Sequence, residues 1–368
     1  MVVELTVEQA RRIAVRAQAL EAKRPGGVLD AIDRLTFVKV DPVSAVAPSA
    51  DVVLWSRLGE AYDPAEVTAR LEVDRTLFEL DLMVRPMDDL RLFRPMMRRW
   101  PKHERTRNWI EANDAFRRDI VVRLSGSGPL PATEIPDTAA VPWSSTGWTN
   151  DRNVTIMLEC LMMRGDIAMS ARRDGQRLWD LAERVYPEVP ELEASDAYVQ
   201  RNERRLASLG ILRERKAGGS PAEPIDTRGI GEPAHVEGLR GTWRVDPGAL
   251  EHVDEPLAGR TALLSPLDRL VFDRKRLEEL FGYEYVLEMY KPRDQRRWGY
   301  WAMPILHGDR LIGKVDATAD RAAGMLRVDA IHEDEPFTRD LVEAVFEELD
   351  SLAGWLGLDI GGRAVGLA

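Results

Sequence analysis

The feature that most constrains this chain lies near its middle. A helical apolar period over Asn150–Arg164 stops at Gly165, and two alternating segments follow, Asp166–Arg173 and Gln176–Asp180, joined by Asp174-Gly175. Asp-Gly between alternating segments signals a hairpin, because both turn residues must take positive φ. A helix, a glycine stop and a two-stranded hairpin describe a winged helix-turn-helix layout, and the fold class to expect is α+β.

The flanking sequence repeats the theme. Thr6 and Gln9 form a capping box ahead of a helix reaching about Lys23, and Gly26-Gly27 stops it. A helix over Val28–Leu35, an extended stretch Phe37–Asp41 ended by Pro42, short helices over Asp51–Leu58 and Pro64–Leu71, and a strand over Arg75–Leu80 suggest a first helix-turn-helix with a wing. Arg107–Leu124 reads as one long helix before the loop Ser125–Pro129. Asp196–Leu209 reads as another, stopped by Gly210 and followed by the flexible loop Ala217–Pro224 and short strands around His235–Val245. Beyond these, Tyr283–Tyr290, Trp298–Ile305, Leu311–Asp316 and Met325–Ala330 alternate as strands of an antiparallel sheet, and Asp340–Leu356 is an amphipathic closing helix.

Composition bounds the rest. The chain has 368 residues, 44% hydrophobic and 31% charged, which suits a folded protein of two or three modules. No apolar run reaches the roughly 20 residues that span a bilayer, and the N-terminus has no signal-peptide core. A cytoplasmic protein without membrane association is expected. Cys160 is the single cysteine and the five histidines are scattered, so neither a disulfide within the chain nor metal-ligand spacing is seen, and no cofactor is expected. With no heptad seam, the expectation is a monomer. Cys160 sits on an apolar helical face and reads as core. Gly229-Ile-Gly231 matches a dinucleotide fingerprint only formally, since Pro233 interrupts it and no strand–helix unit frames it. Asn153-Val-Thr155 is a glycosylation pattern without a secretory route.

Net charge is −11, which taken whole argues against nucleic acid. The charge is uneven, however. Asp329–Asp359 carries ten acids against one base, whereas Arg91–Arg123 has ten bases and four acids and Arg201–Lys216 six and two. Local basic surfaces therefore remain for a phosphate backbone.

Several stretches, in order, carry a resemblance: Lys39-Val-Asp-Pro-Val-Ser-Ala-Val46, Trp55-Ser-Arg-Leu-Gly59, Arg164-Gly-Asp-Ile-Ala168 leading to Trp179-Asp-Leu-Ala-Glu-Arg-Val-Tyr-Pro187, Val236-Glu-Gly-Leu-Arg-Gly241, Leu264-Ser-Pro-Leu-Asp268 with Asp273-Arg274, and Trp298-Gly-Tyr-Trp-Ala-Met-Pro304 with Gly308-Asp-Arg-Leu-Ile-Gly-Lys-Val-Asp316. Their order and spacing resemble the AlkZ/YcaQ-like tandem winged-helix DNA glycosylases, which unhook interstrand crosslinks, from the N-terminus to about Trp355. The resemblance implies three tandem winged helix-turn-helix units, here at 1–105, 106–190 and 191–260, and a C-terminal antiparallel β-barrel-like subdomain with a closing helix at 261–368. It implies metal-free hydrolysis of the N-glycosidic bond of an alkylated purine, typically an N7-alkylguanine, in double-stranded DNA. The implied role is DNA repair, whether in self-resistance or in general tolerance of alkylation damage. It also implies a catalytic motif of Gln, an aliphatic residue, then Gln or Asp, which falls on Lys39-Val40-Asp41. Asp41 fits the Asp-bearing branch, while Lys39 stands where the family has Gln. Leu80–Pro86 departs as well, since an aromatic-rich His-Glu-Ala-Ser-like segment is expected there.

Breaking an N-glycosidic bond develops positive charge on the sugar, which a nearby carboxylate stabilises while activating water. Asp41 can supply that carboxylate. Lys39, two residues earlier on the same face of an extended segment, can hold the leaving base or a phosphate, or act as a Schiff-base nucleophile. A plainer reading stands beside this one: Lys39 and Asp41 form a surface pair, or Asp41 starts a turn before Pro42. For DNA contact the candidates are Arg57; the strip Arg94, Arg98, Arg99, Lys102, Arg105 and Arg107 with Trp100 and Trp109 interleaved; the hairpin tip Arg172, Arg173 and Arg177; and a second basic tip, Lys291, Arg293, Arg296 and Arg297, flanked by Tyr290 and Trp298. In the resembled family a hairpin of this subdomain approaches the lesion. Ser265-Pro-Leu-Asp268 with Asp273-Arg274 reads as a helix-start and salt-bridge device. Two other function classes fit the same residues: a non-catalytic DNA binder such as a regulator or lesion sensor, and a protein that binds a small toxin or a partner.

Overall fold

The computed structural model describes residues 2–41, 43–145, 147, 152–216 and 223–362. Pro42, Asn150 and Asp151 at the start of the expected middle helix, and Ala217–Ala222 of the expected flexible loop lie outside the described residues. The chain divides into two compact units, 63–201 and a discontinuous one made of 1–62 with 202–368.

In the 63–201 unit the middle motif forms as its sequence dictates. The helix Asn153–Arg164 ends on left-handed Gly165, and strands Ile167–Arg173 and Gln176–Leu181 pair antiparallel across Asp174-Gly175, whose φ angles are +51° and +77°. A short strand, Leu130–Pro131, joins the edge of the second strand. A second hairpin, Leu77–Leu80 with Met83–Pro86, turns through Asp81-Leu82. The core of the unit gathers Phe78, Phe93, Phe116, Leu161 and Trp179. The expected long helix over Arg107–Leu124 is two, Glu104–Ala112 and Asp114–Ser127. Asn113 breaks it: its side-chain amide donates to the carbonyls of Trp109 and Val141 and accepts from the Val141 N–H. An asparagine bonded this way ties down a distant loop.

The other unit is discontinuous for a specific reason. Residues 3–5, which carry no strand signal beyond Val3, form a strand parallel to Glu232–Val236, so the N-terminus completes a sheet in the order 3–5, 232–236, 243–245, 211–213. The capping box of Thr6 and Gln9 forms as expected, but its helix ends at Ala17. A five-stranded sheet follows in the order Thr261–Leu263, Ala302–His307, Arg310–Asp320, Met325–Glu333, Asp359–Gly361. Its last strand runs parallel to Met325–Arg327, so the sheet is mixed at one edge rather than antiparallel throughout. The closing helix Arg339–Leu356 stacks Trp355 on Trp55 of the helix Ser49–Leu58, 6.0 Å between ring centroids. Tyr283–Tyr290 forms no strand. Tyr283 and Tyr285 are buried, and their hydroxyls donate to the carbonyls of Gly313 and Ala302 at 2.7 and 2.6 Å, so the segment packs on the sheet through its side chains. The basic stretch after it is therefore a loop with a 3-10 turn at Arg293–Gln295, not a hairpin tip.

Candidate functional site

Helix Val28–Leu35 ends on Thr36, which takes the left-handed conformation at φ +62° and turns the chain into the extended pair Val38–Lys39. Arg269 fixes this entry. Its Nη1 donates to the Leu35 carbonyl, to Thr36 Oγ1 at 2.7 Å and to Ser208 Oγ at 2.8 Å, and its guanidinium lies 4.3 Å from the Phe37 ring centre. Lys39 is half-buried, with Nζ 5.4 Å from the ring centroid of Phe272, a cation–π contact suited to an ammonium. Asp41 is half-buried too. Its Oδ1 accepts the Val43 N–H at 3.0 Å, which is the turn bond expected of an aspartate before proline, and Oδ2 has no partner among the described residues. No ion pair joins Lys39 to Asp41 there. The carboxylate is thus oriented by one oxygen and open at the other.

The loop after Asp41 is pinned to the five-stranded sheet: the Ala319 N–H donates to the Ala45 carbonyl at 2.9 Å, and Ser49 Oγ lies 2.8 Å from Ser265 Oγ. Asp268 caps the short helix Arg269–Phe272, and Asp273 caps Arg274–Phe281. Both behave as the helix-start devices their sequence suggests. Arg57 does not face solvent. It is fully buried on a helix buried almost all round, paired with Asp268 through both terminal nitrogens, and its Nε donates to the Gln18 carbonyl. A buried guanidinium needs its counter-ion inside, so Arg57 is withdrawn from phosphate contact.

The other basic candidates are scattered. Arg98, Arg99, Lys102 and Arg105 are exposed at the junction of helices Leu90–Arg98 and Glu104–Ala112, together with Arg107. Arg98 pairs with Glu191, and Arg105 lies 5.1 Å over the Trp143 ring while donating to the Ser144 carbonyl. Arg94 lies 5.8 Å from the Tyr186 ring centre. Trp109 is core, edge-on to Trp143, and Trp100 is half-buried against the same core. In the hairpin, Arg172 and Arg177 both pair with Glu79, whose side chain is wholly buried, so these two are committed to the protein. Arg173 stands at the exposed tip, paired with exposed Glu134. Among the C-terminal bases, Lys291 pairs with buried Glu288 at 2.7 Å, Arg296 lies 5.0 Å over Tyr300, Arg297 lies 4.9 Å over Trp298, and Arg293 is exposed.

Sequence reasoning missed the polar groups buried beneath that loop. Glu288 accepts the Trp298 N–H and Lys291 Nζ, both at 2.7 Å, and lies low in the carboxylate range because those bonds outweigh its desolvation. Lys314, 1% exposed, sits 4.2 Å from the Tyr283 ring centre and 4.7 Å from that of Trp298, and burial pulls its ammonium below the usual lysine range. Asp316 accepts the Trp301 N–H at 3.1 Å, and burial raises its carboxyl. Lys314 and Asp316 alternate with Val315 along the strand Arg310–Asp320, and all three are buried. Among the described residues no cluster of His, Cys, Asp and Glu is placed to hold a metal ion, and no helix is long and apolar enough to cross a membrane.

A mixed α+β chain with exposed basic side chains is compatible with a protein that acts on DNA, and comparison with known proteins gives its family. The profile of the AlkZ-like DNA glycosylase family matches residues 32–355, and the chain belongs to that family. Among solved structures, the DNA glycosylase AlkZ of Streptomyces sahachiroi superposes with a TM-score of 0.65 over 98% of this chain and 100% of that one, at 15% identity, which shows a shared fold.

Proposed function

We propose that the protein excises bulky N-alkylated purines, N7-alkylguanine foremost and interstrand crosslinks among its targets, by hydrolysing the N-glycosidic bond in double-stranded DNA. The observation that carries this is Asp41: the resemblance aligns it with the Asp of the family's catalytic motif, its Oδ1 is oriented by the Val43 N–H, and its Oδ2 has no partner among the described residues. An open oxygen stabilises the oxocarbenium-like sugar and orients water. Lys39, held over Phe272, is close enough in the chain to take a phosphate or the leaving base. The helix-plus-hairpin units serve as winged helices in this reading. Arg98, Arg99, Lys102, Arg105 and Arg173 are exposed bases for the backbone, joined by the C-terminal loop, and the enzyme works as a cytoplasmic monomer without metal.

The test is a duplex bearing one N7-alkylguanine, followed by alkaline cleavage of any abasic site. Wild type is expected to cut, and Asp41→Asn to lose about 10²–10³ in single-turnover rate, the usual cost of removing one charge-stabilising group. Equal product from wild type and Asp41→Asn removes Asp41 from the mechanism. Lys39→Gln belongs in the same assay. Activity only in that variant favours the second reading, a binder of damaged DNA whose chemistry has lapsed, which Lys39 in place of the family's Gln supports.

A further inference from the structure

The five-stranded sheet carries a polar cleft lined by Arg293, Arg296, Tyr300, Asp316, Thr318 and Arg327. Three arginines converge there from two sources, the loop 291–300 and the strand Met325–Glu333. Two are steered through Nε: that of Arg296 donates to the Lys291 carbonyl at 2.9 Å, and that of Arg327 to Asp329 at 3.0 Å. Their Nη nitrogens, like the whole Arg293 guanidinium, have no hydrogen-bond or ion-pair partner among the described residues. Exposed Tyr300 lies under Arg296.

The loop that brings Arg293 and Arg296 is held at both ends by buried carboxylates. Glu288 takes Lys291 Nζ at its start and the Trp298 N–H near its end, and Asp316 takes the Trp301 N–H just beyond that end. Gly299, at φ +114°, leaves the space the Asp316 carboxylate fills: a Cβ there would lie 1.8 Å from Oδ2. His332 Nε2 lies 3.0 Å from the Trp298 carbonyl. Such a loop loses little freedom when it meets a ligand. The cleft also sits beside the candidate catalytic segment, since Thr318 precedes Ala319, whose N–H bonds the Ala45 carbonyl. Ala45 is four positions from Asp41 in the sequence, a span of at most about 14 Å.

We propose that this cleft is a preformed phosphodiester site, in which Arg293, Arg296 and Arg327 grip the DNA backbone close to the reacting nucleotide and Tyr300 packs on the adjoining sugar. The inference rests on the DNA-acting reading above and adds Arg327 and Tyr300 to it. Asp316 is a positioning residue, acting through the loop it holds. The two remaining carboxylates of the cleft fit this role: Asp316 is turned to backbone N–H groups and Asp329 to Arg327, so the free donors are arginine nitrogens.

The test reads the salt dependence of affinity for an undamaged duplex by fluorescence anisotropy, which needs no lesion and no catalysis. Each lost phosphate contact lowers the slope of log K against log salt by about 0.9. Arg327→Ala and the double variant Arg293→Ala/Arg296→Ala are expected to lower it by about one and by one to two respectively, with Arg327→Lys largely retaining it. Arg339→Ala, on the acidic closing helix, is expected to leave it unchanged. Asp316→Asn is expected to weaken binding although no positive charge is removed. Unchanged slopes in folded Arg327→Ala and the double variant overturn the cleft, whatever the excision assay shows. Lowered slopes support it even where no base is excised, so the two readings fail separately.

Discussion

At the scale of single residues, the most demanding interaction is the pair of Arg57 and Asp268, both without solvent exposure. Two charges taken out of water are tolerated because each is the other's counter-ion, and because Asp268 also accepts the Leu270 N–H at 2.9 Å while Arg57 reaches the Gln18 carbonyl. Truncating one partner strands the other. Arg57→Ala is therefore expected to cost about 3–5 kcal/mol in denaturant unfolding. The folded fraction of that variant should bind DNA with the wild-type salt slope, since a buried guanidinium releases no counter-ions. A slope lowered by about one unit would put Arg57 back among the phosphate ligands. Half-buried Asp41 is held by a single turn bond, so under the proposed mechanism its removal should change rate far more than stability.

Among elements, the hairpins show which turns obey their sequence. Asp174-Gly175 supplies positive φ at little cost, but Asp81-Leu82 adopts φ +54° and +60° with a leucine at the second position. A left-handed non-glycine residue costs roughly 1–2 kcal/mol. Leu82 is 39% exposed, so Leu82→Gly is expected to raise stability by about 1 kcal/mol, read from the denaturation midpoint. Loss of stability would mean that the leucine side chain packs more than its exposure implies. The hairpin of residues 167–181 divides its arginines in a testable way. Arg172→Ala and Arg177→Ala leave buried Glu79 short of a partner and should act on stability, while Arg173→Ala at the tip should act on DNA affinity alone. The legible elements were those whose signals are local: the capping box of Thr6 and Gln9, the glycine stop at 165, the Asp-Gly turn, the helix Val28–Leu35. What escaped depends on distant partners. The strand at 3–5 exists because residues 232–236 offer it an edge, the helix breaks at Asn113 because of Val141, and Tyr283 and Tyr285 alternate like a strand but spend their hydroxyls on carbonyls of the neighbouring sheet. The same limit governs the site. Asp41 and its turn were visible in Asp-Pro, whereas burial of Arg57 and convergence of Arg327 with Arg293 are facts of tertiary structure.

For the molecule as a whole, the lone cysteine offers a probe of how one unit opens. Cys160 is 5% exposed on the helix Asn153–Arg164, packed in the core of the 63–201 unit, and burial pushes its thiol up to about 12, with Glu159 adding to the shift. Only thiolate attacks a disulfide reagent, and the raised thiol leaves very little of it at pH 8 even before access is considered. Native protein should therefore leave an aromatic disulfide reagent unconsumed at neutral pH and take up one equivalent in denaturant, matching the single cysteine. The sign of the pH dependence follows from the raised value. Folding holds the thiol protonated, so between the ordinary thiol range and about pH 12 ionisation favours the open state, and stability of this unit should decline as pH rises through that window. At lower pH labelling requires local or global opening of the 63–201 unit, and its rate should rise with denaturant as the unit's opening free energy falls. Rapid labelling at pH 7 without denaturant would contradict the buried placement of Cys160. A rate that instead follows the unfolding of that unit would give its opening free energy without interference from the other unit, which contains no cysteine.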